Sequence, residues 1–435
     1  MRFIYTVAMY IATPLIVWRL ALRGLHYRGY FRRWRERFGR FPAPPFADCV
    51  WVHAVSVGEV NAALPLIQAL MRRYAPHPVV VTTVTPTGSE RVRELFGDAV
   101  FHVYLPYDLP RAVERFLDRI HPILAVVLET EIWPNLFHQC GRRGIPLAVV
   151  NARLSERSLR GYRPIRPLVR GALANVALIA AQSHADARRY RALGAPPARV
   201  HVSGNLKFDF PLPKGARQRG RELREGWGAT RPVWIAASTH EGEELAVLEA
   251  HIAVLARVPD ALLLIAPRHP ERFRAIAHTA RNLGFAVATH GAGDVDTETQ
   301  CLVIDAMGVL MPYFAAADLA FVAGSLVPVG GHNVLEPAAL SKPVLVGPYT
   351  FNFEEITRSL IKDGGARRVA SGGQLGAAVL GLLLNPERLQ RMSLAAHSVC
   401  TRERGAARRT MVLLGRAVAR ARYARSCDAA TATAR

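Results

Sequence analysis

Lysine is nearly absent from this chain: Lys207, Lys214, Lys342 and Lys362 are the only ones in 435 residues, although the formal net charge is +22. Arginine carries the positive charge, and so one-sided a preference reads as a bias in genomic base composition. Placement is therefore more telling than total. Cysteine is scarce as well. Cys49, Cys140, Cys301, Cys400 and Cys427 are scattered, odd in number and without C-x-x-C spacing, which excludes a disulfide framework and a zinc site and suits a reducing, cytoplasmic location. No D-x-D stands where a diphosphate-bound metal is expected, so the sequence predicts metal-independent chemistry, with no metal ligands and no cofactor. Recognisable RNA- or DNA-binding motifs are missing, so nucleic acid is not expected as a partner.

What is present begins with an apolar run, Phe3 to Trp18, followed by Arg19. Positive charge follows the run rather than preceding it, and no small-residue cleavage site appears, which argues against a removed signal peptide. An uncleaved anchor over residues 1–22 is expected, either spanning the bilayer or lying in its interface. The positive-inside rule leaves the body in the cytoplasm. Between Arg19 and Arg40 eight arginines stand against one glutamate, mixed with Tyr, Phe and Trp from Leu25 to Phe41. That composition fits an anionic membrane surface.

From Cys49 onward, short apolar runs alternate with helix-length amphipathic segments, which is the signature of an α/β doubly wound fold. Buried parallel strands are predicted at Val50–Ala54, Val79–Thr83, Leu124–Leu128, Leu147–Val150 and Val176–Ala181, with helices starting near Val60, Thr87, Trp133 and His184. A second series follows at Val233–Ala237, Leu262–Ala266, Leu302–Ile304, Leu319–Val322 and Val344–Val346. Pro211 to Gly220 lacks an apolar period and carries Pro and Gly, so it is the expected linker. The predicted organisation is an anchor (1–22), an amino-terminal domain (23–210), a linker (211–220), a carboxyl-terminal domain ending in a helix (221–425) and a disordered tail (426–435). Two such domains facing each other bind ligands at the carboxyl ends of their strands.

Those strand ends hold the residues able to do chemistry. Glu59 follows the first strand, with Gly58 read as permitting a tight turn. It is either a general base for a substrate hydroxyl or a first-turn glutamate complementing the helix dipole. Glu129 and Glu131, in ETEIWPN, are catalytic or cap neighbouring N–H groups. Lys207, in SGNLKFD, neutralises developing phosphate charge or pairs with Asp209 at the surface. In the second half, Ser238 and Thr239 are placed to hydrogen-bond an anion, and Arg268 offers a bidentate fork. His240 and His269 read as polar loop residues. Gly324, Gly330 and Gly331 form a loop that lets backbone approach a ligand, and a helix opening near Asn333 is a natural phosphate seat. Glu336, one turn in, is placed to accept hydrogen bonds from ribose hydroxyls.

Taken together, RGYFRRWRERFG, WVHAVSVGEVNAA, TPTGSERV, YLPYDLP, ETEIWPN, NARLSERS, SGNLKFD, ASTHEGEE, APRHPERF, MGVL and GGHNVLEPA resemble the Kdo transferases of lipopolysaccharide biosynthesis. These motifs cover roughly residues 20 to 350 in order. The resemblance implies a GT-B glycosyltransferase with two Rossmann-like domains facing a cleft and a membrane anchor on the cytoplasmic side of the inner membrane. It implies inverting transfer of Kdo from CMP-Kdo to the 6'-hydroxyl of the tetraacyldisaccharide lipid A precursor (lipid IVA). By motif, Glu59 looks like the base, and Glu129 and Lys207 match transition-state stabilisers. Pro267, Arg268, Met307, Gly308, Val309, Asn333, Val334, Leu335 and Glu336 match the CMP-binding segments. Val309 replaces a family glutamate and Val334 a family proline, so backbone contacts are expected there. The alternatives are a GT-B enzyme using a UDP-sugar and a non-catalytic anionic-lipid binder.

Overall fold

The computed structural model describes residues 1–291 and 295–433. It divides into two compact units, one comprising Met1–Pro211 with the terminal segment from Arg404, the other Leu212–Glu403.

The first unit is built on a seven-stranded parallel sheet: β1 Cys49–His53, β2 Val79–Thr83, β3 Phe101–Tyr104, β4 Pro122–Leu128, β5 Leu147–Ala152, β6 Val176–Ala181 and β7 Val200–Val202. Their order is β3-β2-β1-β4-β5-β6-β7. The central strands are runs of valine, leucine and alanine because helices cover both faces of the sheet. Trp51, Phe116 and Phe137 fill one face. On the other, Val60, Leu66 and Leu70 of α2 (Val57–Tyr74) pack with Leu414 and Val418 of the terminal helix. The strand order reverses between β1 and β4, so the crevice for a ligand opens at their carboxyl ends.

The second unit repeats the plan with β8 Val233–Thr239, β9 Leu262–Pro267, β10 Val287–Thr289, β11 Cys301–Val303, β12 Leu319–Val322, β13 Val344–Val346 and β14 Ala366–Arg368. The order is β10-β11-β9-β8-β12-β13-β14, all parallel. Here the switch lies between β8 and β12.

Three boundaries differ from the sequence reading. The expected linker is half helix, because Ala216–Trp227 is helical and buries Trp227. The terminal helix, Ala406–Thr433, belongs to the first unit rather than the second, since Ala406, Leu414 and Val418 supply apolar cover that α2 leaves incomplete. That helix also runs through the segment from 426 expected to be disordered, where alanine favours helix. Residues 434 and 435 lie outside the described residues.

The amino-terminal helix α1, Arg2–His26, is long and apolar enough to cross a membrane. Its two faces differ. Tyr5, Met9, Ala12, Ile16 and Leu20 are half-buried against the first unit, and Gly24 is buried beneath the Phe31 ring. Tyr5 Oη donates to Asp108 (2.9 Å) and Thr6 Oγ1 to Asn135 (3.0 Å). The opposite stripe of Ile4, Val7, Ile11, Leu15, Trp18, Leu22 and Leu25 is exposed. Of the following arginines, Arg28, Arg32 and Arg35 face solvent. Arg33 and Arg37 do not: Arg33 pairs with Glu36 at 2.7 Å, and Arg37 donates to the Val84 carbonyl (2.8 Å) under the Tyr104 ring. Two of the six arginines in the expected interfacial stretch are thus structural.

Candidate active site

Glu59 and Glu129 follow β1 and β4, the two strands at the switch point of the first sheet. Glu59 occupies the first turn of α2, where its Oε2 accepts the Val55 N–H at 2.9 Å. Burial, then the Glu129 carboxylate, push its pKa up to about 8, against the opposing pull of the Val55 N–H and the Lys207 ammonium. Gly58 is helical without positive φ, and a Cβ there would make only an ordinary contact with Ser56 Oγ at 3.9 Å, so the turn does not require glycine as the sequence suggested.

Glu129 adopts a left-handed backbone (φ 56°) directly after β4, a strained conformation typical of functional sites. Neighbours fix it: its N–H donates to Val150 O (3.0 Å), and Tyr190 Oη donates to its carbonyl (3.1 Å). Its carboxylate lies 3.8 Å from Lys207 Nζ. Glu131 is raised by burial and, more weakly, by Glu129, with a Trp133 hydrogen bond opposing. The structure therefore gathers Glu59, Glu129, Glu131 and Lys207 into one electrostatic group.

Lys207 sits on the single turn Leu206–Asp209, and two elements outside the predicted set hold that turn. Asn151, buried and left-handed (φ 51°), accepts the Leu206 N–H through Oδ1 at 2.9 Å. Asp209 accepts the N–H groups of Gly405 (2.6 Å) and Ala407 (2.5 Å), tying the turn to the terminal helix. Asp209 is thus engaged with that helix, whereas Lys207 faces Glu129. The signal for Asn151 was its place at the end of a buried strand.

In the second unit, Ser238 is left-handed (φ 60°) at the irregularity between β8 and β9. Thr239 is buried, and its Oγ1 has no hydrogen-bond partner among the described residues. Pro267 ends β9 and Arg268 is exposed just beyond it, its backbone N–H donating to Thr239 O at 2.9 Å. After β11, Met307 is half exposed and Gly308 left-handed (φ 80°). Val309 lines a cavity of about 590 Å³ with Trp227 and Tyr313.

The glycine loop is built differently from expectation. Gly324, Gly330 and Gly331 all have positive φ. A Cβ on Gly324 would meet the His332 ring at 2.8 Å, and one on Gly330 the Phe351 ring at 2.3 Å. These glycines make room for side chains of the fold. The loop N–H groups are also occupied. Buried Glu243 accepts from Gly324 (2.6 Å), Ser325 (3.0 Å) and Leu326 (2.7 Å), while Gly330 and Gly331 donate to Gly324 O. The expected helix at Asn333 is the five-residue Leu335–Ala339. Val334 and Leu335 are buried. Asn333 accepts the Leu335 N–H and donates to Glu336 (3.0 Å), whose carboxyl is raised by burial. Glu243 and His332 were not singled out by sequence, and His240 was read only as a polar loop residue, although STHEGEE and GGHN follow the two switch-point strands. Among the described residues, no three His, Cys, Asp or Glu side chains form a metal-holding group.

Residues 32–210 match the family described as 3-deoxy-D-manno-octulosonic-acid transferase (kdotransferase). A 3-deoxy-D-manno-octulosonic acid transferase from Haemophilus influenzae is 42% identical over 95% of this chain and 98% of its own length. One from Bordetella pertussis is 40% identical over 94% and 98%. Among solved structures, a UDP-GlcNAc 2-epimerase from Neisseria meningitidis bound to UDP-GlcNAc aligns with a TM-score of 0.58 at 13% identity, covering 85% of this chain and all of that one. That likeness concerns the fold alone, two parallel sheets wound in the GT-B manner. The chain belongs to the 3-deoxy-D-manno-octulosonic acid transferase family.

Proposed function

We propose that this protein is a Kdo transferase that moves Kdo from CMP-Kdo to the 6'-hydroxyl of the tetraacyldisaccharide lipid A precursor, with inversion and without a metal ion. The observation that carries the reading is the Glu59–Glu129–Lys207 group at the switch point of the first sheet. Glu59 takes the proton of the acceptor hydroxyl as that oxygen attacks the anomeric carbon of Kdo. The bond from that carbon to the phosphate oxygen breaks, and CMP leaves with the electron pair. A single displacement of this kind inverts the centre.

A carboxyl with its pKa near 8 is about one-tenth ionised at pH 7, and it is correspondingly a stronger base toward an alcohol. Lys207 balances the charge of Glu129 and answers negative charge that grows in the transition state. On the second unit, Arg268 offers a fork to a monophosphate, a charge that arginine can meet without a divalent ion. Glu336 and the backbone of Met307–Val309 are assigned to the nucleoside. The exposed stripe of α1 anchors the protein at the cytoplasmic face of the inner membrane, lying in the plane of the interface.

Purified enzyme should form Kdo-bearing lipid from CMP-Kdo and the tetraacylated acceptor, seen by mass spectrometry, with turnover unchanged by EDTA. Glu59→Gln should lower kcat by roughly 10²–10⁴-fold while CMP still binds. Transfer from a UDP-sugar instead, or near-normal turnover by the variant, would overturn the assignment.

A further inference from the structure

His240 follows β8 and His332 belongs to the loop after β12, so both come from the switch point of the second sheet. Their Nε2 atoms are 2.7 Å apart, and their rings are parallel within 3° with centroids 5.0 Å apart. At that distance one Nε2 must donate and the other accept, because two N–H groups cannot face each other. The pair can hold one more proton on an outward nitrogen, giving an imidazolium hydrogen-bonded to a neutral imidazole. A second added proton would place two cations in contact. His269 stands edge-on to His240 at 5.2 Å between centroids. Bare Gly324 makes the space, since a Cβ there would reach His332 at 2.8 Å and His240 at 3.4 Å.

Among the described residues no carboxylate is hydrogen-bonded to the ring nitrogens of the pair, and Glu243 and, more weakly, Glu244 act on His240 only through space. The Glu243 carboxylate accepts the N–H groups of His240, Gly324, Ser325 and Leu326. Glu241 and Glu244 both pair with Arg272. Glu271 lies 4.0 Å from His269. Arg268 opposes protonation of both histidines through its positive charge. Burial, followed by His240, Arg268 and His269, holds His332 down to about 4, and burial likewise lowers His240. The pair is thus neutral when the site is empty, beside an arginine, at the strand ends where an anionic ligand docks.

We propose that the His240–His332 pair is an anion seat that takes up one proton when a phosphate or carboxylate docks against it and Arg268. The inference deepens the donor reading and rests on it, since CMP-Kdo carries both groups. The anion supplies the compensation that the pair lacks, so binding and protonation are linked.

Calorimetry in two buffers of different ionisation enthalpy measures the protons taken up. CMP carries only the phosphate and free Kdo only the carboxylate, so the two probes separate the sources. CMP also titrates by itself, near pH 6, a contribution that wild type, His332→Gln and His240→Gln share. Between about pH 6 and 7.5 the wild type should take up more protons than either variant, approaching one, with whichever probe occupies the seat. Its affinity should rise as pH falls, and the variants should lose roughly tenfold at pH 6 and less at pH 8. In wild-type protein, the Cε1 resonance of one of the two histidines should move toward the imidazolium position on adding that probe, a readout independent of any variant's fold. Equal proton uptake in all three proteins, with unmoved histidine resonances, would overturn the proposal and leave the donor reading standing. Failure of CMP to bind at all would overturn both.

Discussion

Glu59, the proposed base, weakens the protein that holds it. Its carboxyl has a higher pKa in the folded chain than in the unfolded one, where it is about 4.5. Its contribution to stability is therefore fully present below about pH 4.5 and is lost as pH rises through about 8. The full difference corresponds to roughly 5 kcal/mol at most. Glu59→Gln keeps the shape and never ionises, so it should unfold at the same temperature as wild type near pH 4.5 and at a higher one near pH 9, in matched thermal melts. A variant that is inactive yet equally pH-sensitive in stability would place the strain elsewhere. The same group predicts that kcat/KM rises with pH toward about 8, as the free enzyme's base ionises. The place of Glu59 in the first helical turn after a buried strand was legible in the sequence. Its N–H partner at Val55, its coupling to Glu129 and the tolerance for a Cβ at Gly58 depend on backbone geometry that spacing alone does not supply.

Among elements, legibility followed burial. Every strand expected from an apolar run is present, with ends shifted by a residue or two. The four that escaped notice are β3, β7, β10 and β14, and each lies at an edge of its sheet. An edge strand is covered less completely, so FHVY, VHV, VAT and ARR carry polar or exposed residues and lose the continuous apolar signal. The return of the chain from Arg404 was illegible for another reason, since an arginine-rich amphipathic helix does not name the sheet it will cover. Asp209 does so in the structure, by accepting the first N–H groups of that helix. Asp209→Ala should cost about 0.5–2 kcal/mol, as loss of a helix cap does. Because Lys207 rides on the same turn, it should also reduce kcat with little change in CMP affinity. Hydrogen exchange at Gly405 and Ala407, measured beside the steady-state constants, separates a local release from global unfolding; unchanged exchange would remove Asp209 as the tie.

At the scale of the whole molecule, a net charge of +22 says little until it is placed. Arg33 and Arg37 are spent inside the first unit, whereas Arg2, Arg19, Arg23, Arg28, Arg32 and Arg35 are exposed on or just after α1. Tyr5 and Thr6 bond to the first unit near one end of α1, and Tyr27 Oη donates to Glu90 (2.8 Å) just past the other. A helix of 25 residues is about 37 Å long, so tethers at both ends lay it along the unit's surface with its apolar stripe outward. In the membrane that stripe should sink about 5–10 Å into the headgroup and acyl boundary. Spin labels at Ile4→Cys, Ile11→Cys and Trp18→Cys, each with Cys427→Ser, should then report one common depth from oxygen and nickel accessibility. A helix crossing the bilayer would instead separate positions 4 and 18 by about 20 Å of depth. Each exposed arginine near the surface adds about 1 kcal/mol on anionic lipid and is screened within a Debye length. Binding to anionic vesicles should therefore weaken steeply with salt, and binding to neutral vesicles should keep only the salt-insensitive part owed to the stripe. Graded depths, or equal salt dependence on both kinds of vesicle, would show that α1 does not lie in the interface.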